Sequence, residues 1–125
     1  MFDVKFQPDR SFQVWLYTVS HKVILLRSVK SAQHPSRIDV CLFNVSVINL
    51  SSVIVDLHVR ELTPVEASGI IPSHVRLAQD QRVFSFNGEN CQGFVVAGTV
   101  AWHEDELEYD DQSFFSSAVP QLVWK

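Results

Sequence analysis

The sequence predicts an all-β protein, a single-domain antiparallel sandwich or partly closed barrel with at most one short helix. Apolar and polar residues alternate with a period of two along most of the chain, and hardly any stretch sustains the helical period. Turn signals separate about seven to nine short runs of β-branched and aromatic residues. A parallel sheet would need crossover helices, which this pattern does not supply. A small α+β domain is the alternative if the middle of the chain is more helical than its pattern indicates.

The length of 125 residues suits one domain, residues 1–125, with a core that needs neither disulfide nor metal. Apolar residues make up 46% of the chain and charged residues 19%. Burial of this much apolar surface offsets the ordering entropy of the chain, so disorder is not expected over most of it.

The first half of the chain contains three strand-like runs. Residues 12–19 and 22–29 are largely β-branched or aromatic and predict a hairpin that turns near residues 20–22. In residues 37–50 the apolar positions change from even to odd numbers. Because a strand buries alternate residues, this change predicts a bulge or a bend near residues 42–44.

The clearest half-buried strand is residues 52–62, SVIVDLHVREL. Its alternation predicts one apolar face and one face carrying Asp56, His58 and Arg60. An aspartate beside a histidine can orient an imidazole for acid–base chemistry, and an arginine can bind an anion, so these three are weak catalytic candidates. The simpler interpretation is the solvated face of an amphipathic strand.

A single helical turn is expected at residues 64–68. Thr63 precedes it as an N-cap and Glu66 stands three residues later, which is a capping box, while Gly69 ends the turn. No other segment predicts a helix.

The region from Pro72 to Gln92 predicts short strands, with Asn87-Gly88 as a type I′ hairpin turn. The next strand is expected to run from Glu89 to Trp102. Gly93 and Gly98 within it predict bulges or points of close backbone approach.

The distribution of charge is more informative than the net value of -4. Residues 1–100 hold eight acidic and nine basic side chains, whereas residues 101–125 hold six acidic side chains and only Lys125. The net negative charge is therefore confined to the last part of the chain. Without a cluster of lysine and arginine the chain is a poor candidate for binding nucleic acid.

Cys41 and Cys91 lie in apolar, strand-like surroundings and are expected to be buried free thiols of a reducing compartment, rather than a disulfide of a secreted chain. No signal peptide or transmembrane segment is apparent, so we expect a cytoplasmic protein without membrane contact.

Motifs for bound groups are weak. Residues 88–93 have the glycine spacing of a phosphate loop, but Phe94 and Val95 stand where that loop requires lysine and serine or threonine. No nucleophile elbow occurs. His103, Asp105 and neighbouring glutamates offer metal-ligating atoms without the spacing of a known site, so no metal and no cofactor are expected.

Six carboxylates fall within residues 104–111, which we call the acidic segment, and they are flanked by Trp102, Tyr109, Phe114 and Phe115. It has three interpretations: a solubilising loop that protects a sheet edge, a metal cage, or a docking surface for a basic protein. The metal cage fits least well. The solubilising loop is the plainest interpretation, and the docking surface makes the sharper hypothesis. The predicted partner-binding residues are Trp102, Glu104, Asp105, Glu106, Glu108, Tyr109, Asp110 and Asp111.

The first functional hypothesis is accordingly a non-catalytic interaction module for a basic partner, with an inhibitor or immunity-like role as one form. The alternative is a small-molecule-binding β-barrel with weak acid–base chemistry from Asp56, His58 and Arg60. Homo-oligomer formation through Trp15, Tyr17 or Trp124 is a third hypothesis. The final residues, 117–125, predict a short edge strand or a docked tail.

Overall fold

The computed structural model of the chain describes residues 1–117. Over that range the chain forms two five-stranded antiparallel sheets that face each other as an open sandwich. The predicted all-β sandwich is therefore confirmed, and the sheets do not close into a barrel. The strands are β1 (Asp3–Lys5), β2 (Ser11–Thr18), β3 (Val23–Ser28), β4 (Arg37–Phe43), β5 (Val47–Asn49), β6 (Val53–Val55), β7 (His58–Glu61), β8 (Arg82–Gly88), β9 (Cys91–Ala97) and β10 (Thr99–Asp105).

The two sheets differ in the strands at their edges. Sheet A has the order β1-β7-β8-β9-β5, and sheet B has the order β10-β4-β3-β2-β6. The β2–β3 hairpin turns through residues 19–22, as predicted. Within the described residues, the edge strands are β1 and β5 in sheet A, and β10 and β6 in sheet B.

The main core lies between the sheets and is built from their inner faces. Phe12, Leu26, Val40, Phe86 and Val95 are among its fully buried members. Burying a side chain of this size is worth roughly 1.5–3 kcal/mol, so the inner faces supply most of the stabilisation of the fold.

Each sheet also has an apolar cluster on its outer face. On sheet A, Val83, Phe94 and Val96 pack with Leu62 and Ala67. The helix α1 (Pro64–Ser68) supplies Ala67, so it covers this face. On sheet B the outer cluster is Val23, Leu25, Cys41 and Phe115. Phe115 belongs to a 3₁₀ helix, Phe114–Ser117, which lies after the acidic segment.

The predicted helix α1 and its capping box are confirmed. The Thr63 side chain accepts a hydrogen bond from the Glu66 amide, and the Glu66 carboxylate accepts one from the Thr63 amide. Gly69 forms the C-cap. These contacts satisfy backbone groups that a helix end would otherwise leave unpaired.

The chain crosses between the sheets at residues with positive φ. At Asn44 (φ 56°) it leaves β4 of sheet B for β5 of sheet A, so the predicted bend near residues 42–44 is confirmed. At Asp56 (φ 59°) it leaves β6 of sheet B for β7 of sheet A, so the prediction of one strand over residues 52–62 is wrong. Ile54 and Leu57 both belong to the core between the sheets although three positions separate them, and an unbroken strand would point them to opposite faces.

The predicted strand from Glu89 to Trp102 is also divided. It breaks at Gly98, where the chain passes from β9 in sheet A to β10 in sheet B. The prediction of close approach at Gly93 is confirmed, because a Cβ there would lie 2.2 Å from the Asn49 carbonyl oxygen.

The predicted turn at Asn87-Gly88 is wrong, because both residues pair within the β8–β9 ladder and the turn is Glu89-Asn90. Gly88 serves close packing instead, since a Cβ there would lie 2.4 Å from the Val55 carbonyl oxygen. The Asn90 side chain accepts a hydrogen bond from the Val55 amide, which anchors the turn to β6.

Three further predictions concern the loop before β8, the tail and the cysteines. Residues 72–81 form turns and loop rather than short strands. Residues 118–125, most of the predicted tail, lie outside the described residues. Cys41 and Cys91 are buried free thiols, as expected. Burial, together with the nearby Asp39 carboxylate, raises the pKa of Cys41 to about 12, so this thiol is unreactive.

Candidate functional site

The acidic segment begins inside a strand rather than after one. Strand β10 continues through Glu104 and Asp105, and the chain then turns back across the outer face of sheet B toward Phe115. The predicted end of the strand at Trp102 is therefore three residues too early. The segment lies against strands β3 and β4, which each contribute a buried arginine.

Arg37 of β4 is fully buried and organises the segment. Its Nε and Nη2 donate to the two carboxylate oxygens of Asp105 at 3.1 and 3.0 Å. Its Nη1 donates to the carbonyl oxygens of Glu108 and Asp111 at 2.9 and 2.7 Å, and Nη2 also donates to the Gln112 carbonyl at 3.0 Å. A guanidinium has five N–H groups, and this one uses all of them on residues of the acidic segment or next to it.

Arg27 of β3 is the second buried guanidinium. It forms a bidentate pair with Asp39, with N–O distances of 2.7 and 3.0 Å. Its Nη1 donates to the carbonyl oxygens of Tyr109 and Asp111 at 2.7 and 3.0 Å. The guanidinium also lies 5.0 Å from the ring centroid of Trp15, within cation–π distance. Both arginines thus hold the segment by its backbone.

The pKa of Asp105 reflects this arrangement. Burial acts to raise it, but the hydrogen bonds from Arg37 and from the Leu107 amide outweigh burial and hold the pKa below its usual range. Asp105 is therefore ionised at neutral pH and serves as the counter-charge of Arg37.

A lysine and a serine contact the segment from its margins. Lys30 donates to the Glu106 carbonyl oxygen at 3.0 Å and to the Glu108 carboxylate at 2.8 Å. Ser36 donates to the Glu104 carboxylate and accepts from Arg10, a residue buried at the end of the sandwich. Burial lowers the pKa of Arg10, and the charge of Glu104 partly offsets that effect.

These contacts leave apolar side chains exposed. Leu107 is 48% exposed and Tyr109 is 60% exposed. Phe114 is 57% exposed and stacks on His103, with ring centroids 4.1 Å apart. Phe115, which the sequence grouped with the flanking aromatics, points inward and packs against Phe43. The segment therefore exposes Leu107 and Tyr109, and Phe114 of the following 3₁₀ helix is exposed beside it.

The structure does not bring the three catalytic candidates together. Asp56 accepts a hydrogen bond from the Asp9 amide at 2.6 Å, at the bend between the sheets. His58 contacts the Asp3 carboxylate at 2.6 Å. Arg60 forms a bidentate pair with Glu66, at 3.0 and 2.9 Å, and this hydrogen bonding lowers the pKa of Glu66 to about 2.

The geometry also gives no support to an enclosed ligand cavity at these residues. Three open cavities of the described residues, of about 480, 420 and 410 Å³, are lined by other residues. In the part of the chain that the structure describes, no group of three or more His, Cys, Asp or Glu side chains is placed to hold a metal ion. Over the same residues, no helix has the length and apolar character needed to cross a membrane.

Sequence reasoning missed the arginines that organise the segment, because Arg37 and Asp105 are 68 residues apart in the chain. One signal was available. Arg27 interrupts the apolar run of β3, and Arg37 begins the apolar run of β4. Since arginine is rarely fully buried without a partner, an arginine in a buried strand indicates that another part of the chain supplies a carboxylate to pair with it.

Comparisons of the chain found no match to a protein-family model, a curated protein or a solved structure. The functional argument therefore rests on the geometry of the described residues.

Proposed function

We propose that this protein is a non-catalytic interaction module whose acidic segment and flanking aromatics dock a basic partner protein. One observation carries the proposal: two buried arginines hold the backbone of the segment while Leu107, Tyr109 and Phe114 remain exposed. Binding residues are commonly placed on loops that a rigid scaffold positions. A loop already fixed in its bound shape loses little entropy on binding.

The charge of the surface supports a basic partner. Asp105 and Glu108 are paired with Arg37 and Lys30, so their charges are partly neutralised within the chain. The acidic segment and the side chains that contact it nevertheless include more carboxylates than cations. Glu106 and Asp110 of the segment are exposed. Carboxylates of this kind steer a cationic partner, while exposed aromatic side chains provide contact area.

The individual predicted residues then take different roles. Asp105 holds the segment against Arg37, and the exposed carboxylates provide steering. Tyr109 is the aromatic anchor of the segment, and Trp102, on the inner side of β10, is a separate candidate contact. A module of this kind would suit an inhibitor or immunity-like protein that neutralises a basic enzyme.

The contact residues can be tested with a matched pair of double variants. Leu107→Ser with Tyr109→Ser removes two exposed apolar side chains from the segment, and Tyr17→Ser with Val19→Ser removes a comparable pair from the β2–β3 hairpin. Each protein is immobilised, and proteins retained from a cell extract at low salt are identified. We expect basic proteins that bind the wild type and the hairpin variant but not the segment variant. Equal retention by all three proteins would contradict the proposal.

The charge contribution is tested on a partner purified in this way. Neutralising Asp105 would strand Arg37, so the suitable changes are Glu106→Gln with Asp110→Asn, and Glu89→Gln with Asp80→Asn gives a control of equal net charge. The first pair should slow association at low salt and weaken its salt dependence more than the control does. Identical association rates for the two pairs would remove the case for steering by the segment.

A further inference from the structure

The free edge of β10 is the second unusual surface of the molecule. Strand β10 is seven residues long and, among residues 1–117, it pairs only with β4. Among these residues, no strand pairs with the other side of β10. Long edge strands of this kind are ready templates for pairing with another segment, and natural proteins usually keep them short or covered.

The register of β10 defines which of its side chains face the sandwich. Val100, Trp102 and Glu104 lie opposite Leu42, Val40 and Ile38, which are core residues of the inner face. The residues between them face the outer side of sheet B. Trp102 is 40% exposed, and its ring packs edge-on against Phe6 at 5.4 Å.

Two cavities lie beneath this edge, where β10 faces the N-terminal residues of sheet A. One, of about 410 Å³, is bordered by Phe2, Thr99 and Val100. The other, of about 480 Å³, is bordered by Phe6, Trp102 and other residues, and its walls are mainly apolar. A strand added to β10 would cover both cavities and point alternate side chains into them.

We infer that β10 pairs with an extended segment of the basic partner, whose inward side chains are apolar opposite Val100 and Trp102 and cationic opposite Glu104. The inference rests on the proposed function, since it assigns a second contact to the same partner. Main-chain hydrogen bonds along a sheet edge supply affinity, and the side chains at alternate positions supply specificity. Cross-strand pairs of opposite charge, or of aromatic with β-branched residues, are the favourable ones.

Charge favours this occupant over a second copy of the chain. In a continuous sheet made by two antiparallel β10 strands, inward residues of one copy meet inward residues of the other. Those residues are Val100, Trp102 and Glu104, and none is cationic. Lys5 lies on the far border of the cavity and is exposed. An inward carboxylate therefore selects against self-pairing and for a partner with lysine or arginine at that position.

The test uses a synthetic acetylated heptapeptide, threonine-lysine-threonine-valine-threonine-valine-threonine, which has the inferred alternation in the antiparallel direction. The dissociation constant is expected to be about 1 mM, which is in the range of weak complexes. Binding is followed by amide chemical shifts of the full chain. We expect shifts and slower hydrogen exchange at Thr99–Asp105. A peptide of the same composition with adjacent valines should bind about tenfold more weakly, as should one with glutamate for lysine.

Matched protein variants show whether the peptide binds at β10. Trp102→Ser should weaken the peptide complex about tenfold, whereas Val53→Ser on β6, the opposite edge of the same sheet, should change it less than about twofold. The two side chains are similarly exposed, at 40% and 39%. The amide spectra of both free variants show whether the fold is retained, and hydrogen exchange on the wild type maps the contact independently of either variant.

Several results would overturn the inference: no binding, shifts confined to other strands, equal binding of the rearranged peptide, or a wild-type dimer whose β10 amides are protected. Its failure is distinguishable from failure of the proposed function. If the purified partner is lost by the Leu107→Ser, Tyr109→Ser protein but bound normally by Trp102→Ser, the module stands and the edge contact is wrong. If the peptide binds as described but every retained protein binds the segment variant and its hairpin control equally, the proposed function fails.

Discussion

The two outer faces of the sandwich are covered in contrasting ways, and each cover is held by a bidentate arginine–carboxylate pair. On sheet A, α1 is fixed by its own capping box and by Arg60 with Glu66, six residues apart. On sheet B, the acidic segment is held by Arg37 with Asp105, 68 residues apart. The first pair is substantially exposed and the second is mostly buried. The contrast shows that similar ion pairs differ in importance according to burial and sequence separation.

The largest expected effect comes from breaking the buried pair. Arg37→Met should cost about 3–5 kcal/mol of unfolding free energy, because Asp105 loses its counter-charge and the carbonyls of Glu108, Asp111 and Gln112 each lose a hydrogen bond. Urea unfolding measures the loss. Arg60→Met is the matched control and should be far less damaging because its pair is solvated. Equal losses in the two variants would show that burial does not distinguish the pairs.

The next effect concerns pH. The pKa of Asp105 is lowered in the folded state, so its contribution is present above the ordinary aspartate pKa of about 3.9 and is lost as the pH falls through the lowered folded value. The stability difference between wild type and Asp105→Asn should therefore shrink below about pH 4. Urea midpoints between pH 2.5 and 7 would reveal it, and a pH-independent difference would speak against the assigned pair.

A smaller effect is expected for the local cover. Thr63→Ala removes the N-cap of α1 and should cost about 1 kcal/mol. Since the cap is local, the loss should be the same in the Arg37→Met background, and additive unfolding energies would check this independence. Strong coupling between the two changes would mean that the covers are not separate units.

The smallest effect tests charge at the surface. Glu66 has a pKa of about 2 because of its hydrogen bond from Arg60, and carboxyl NMR titration should find it there in wild type and in Arg37→Met. In Arg60→Met the pKa should rise toward the ordinary glutamate value of about 4.3. A value that stays low without Arg60 would assign the shift to the helix cap instead.

The sequence predicted features that depend on local contacts better than features that depend on distant ones. The capping box at Thr63, the turn after β2 and the bend near Asn44 were all predictable, because each depends on neighbouring residues. The break at Asp56 was not, since residues 53–59 contain alternate valines that fit one strand equally well. The turn at Asn87-Gly88 was assigned from a strong local preference that close packing against Val55 overrides.

The candidate site shows this limit most clearly. The sequence located the carboxylates of the acidic segment and the aromatics around them, but it could not supply their counter-charges. Asp105, one of the predicted partner-binding residues, pairs with Arg37. Phe115 seemed a flanking aromatic and instead packs inward.

The sequence by itself determined the all-β character, the helix α1 and the confinement of negative charge to the end of the chain. These follow from periodicity, local hydrogen bonding and composition, which act between near neighbours. Only the tertiary structure decided which sheet each strand joins, which carboxylates are neutralised and which strands among residues 1–117 form the sheet edges. Those outcomes depend on side chains from distant strands competing for the same buried space and the same charges.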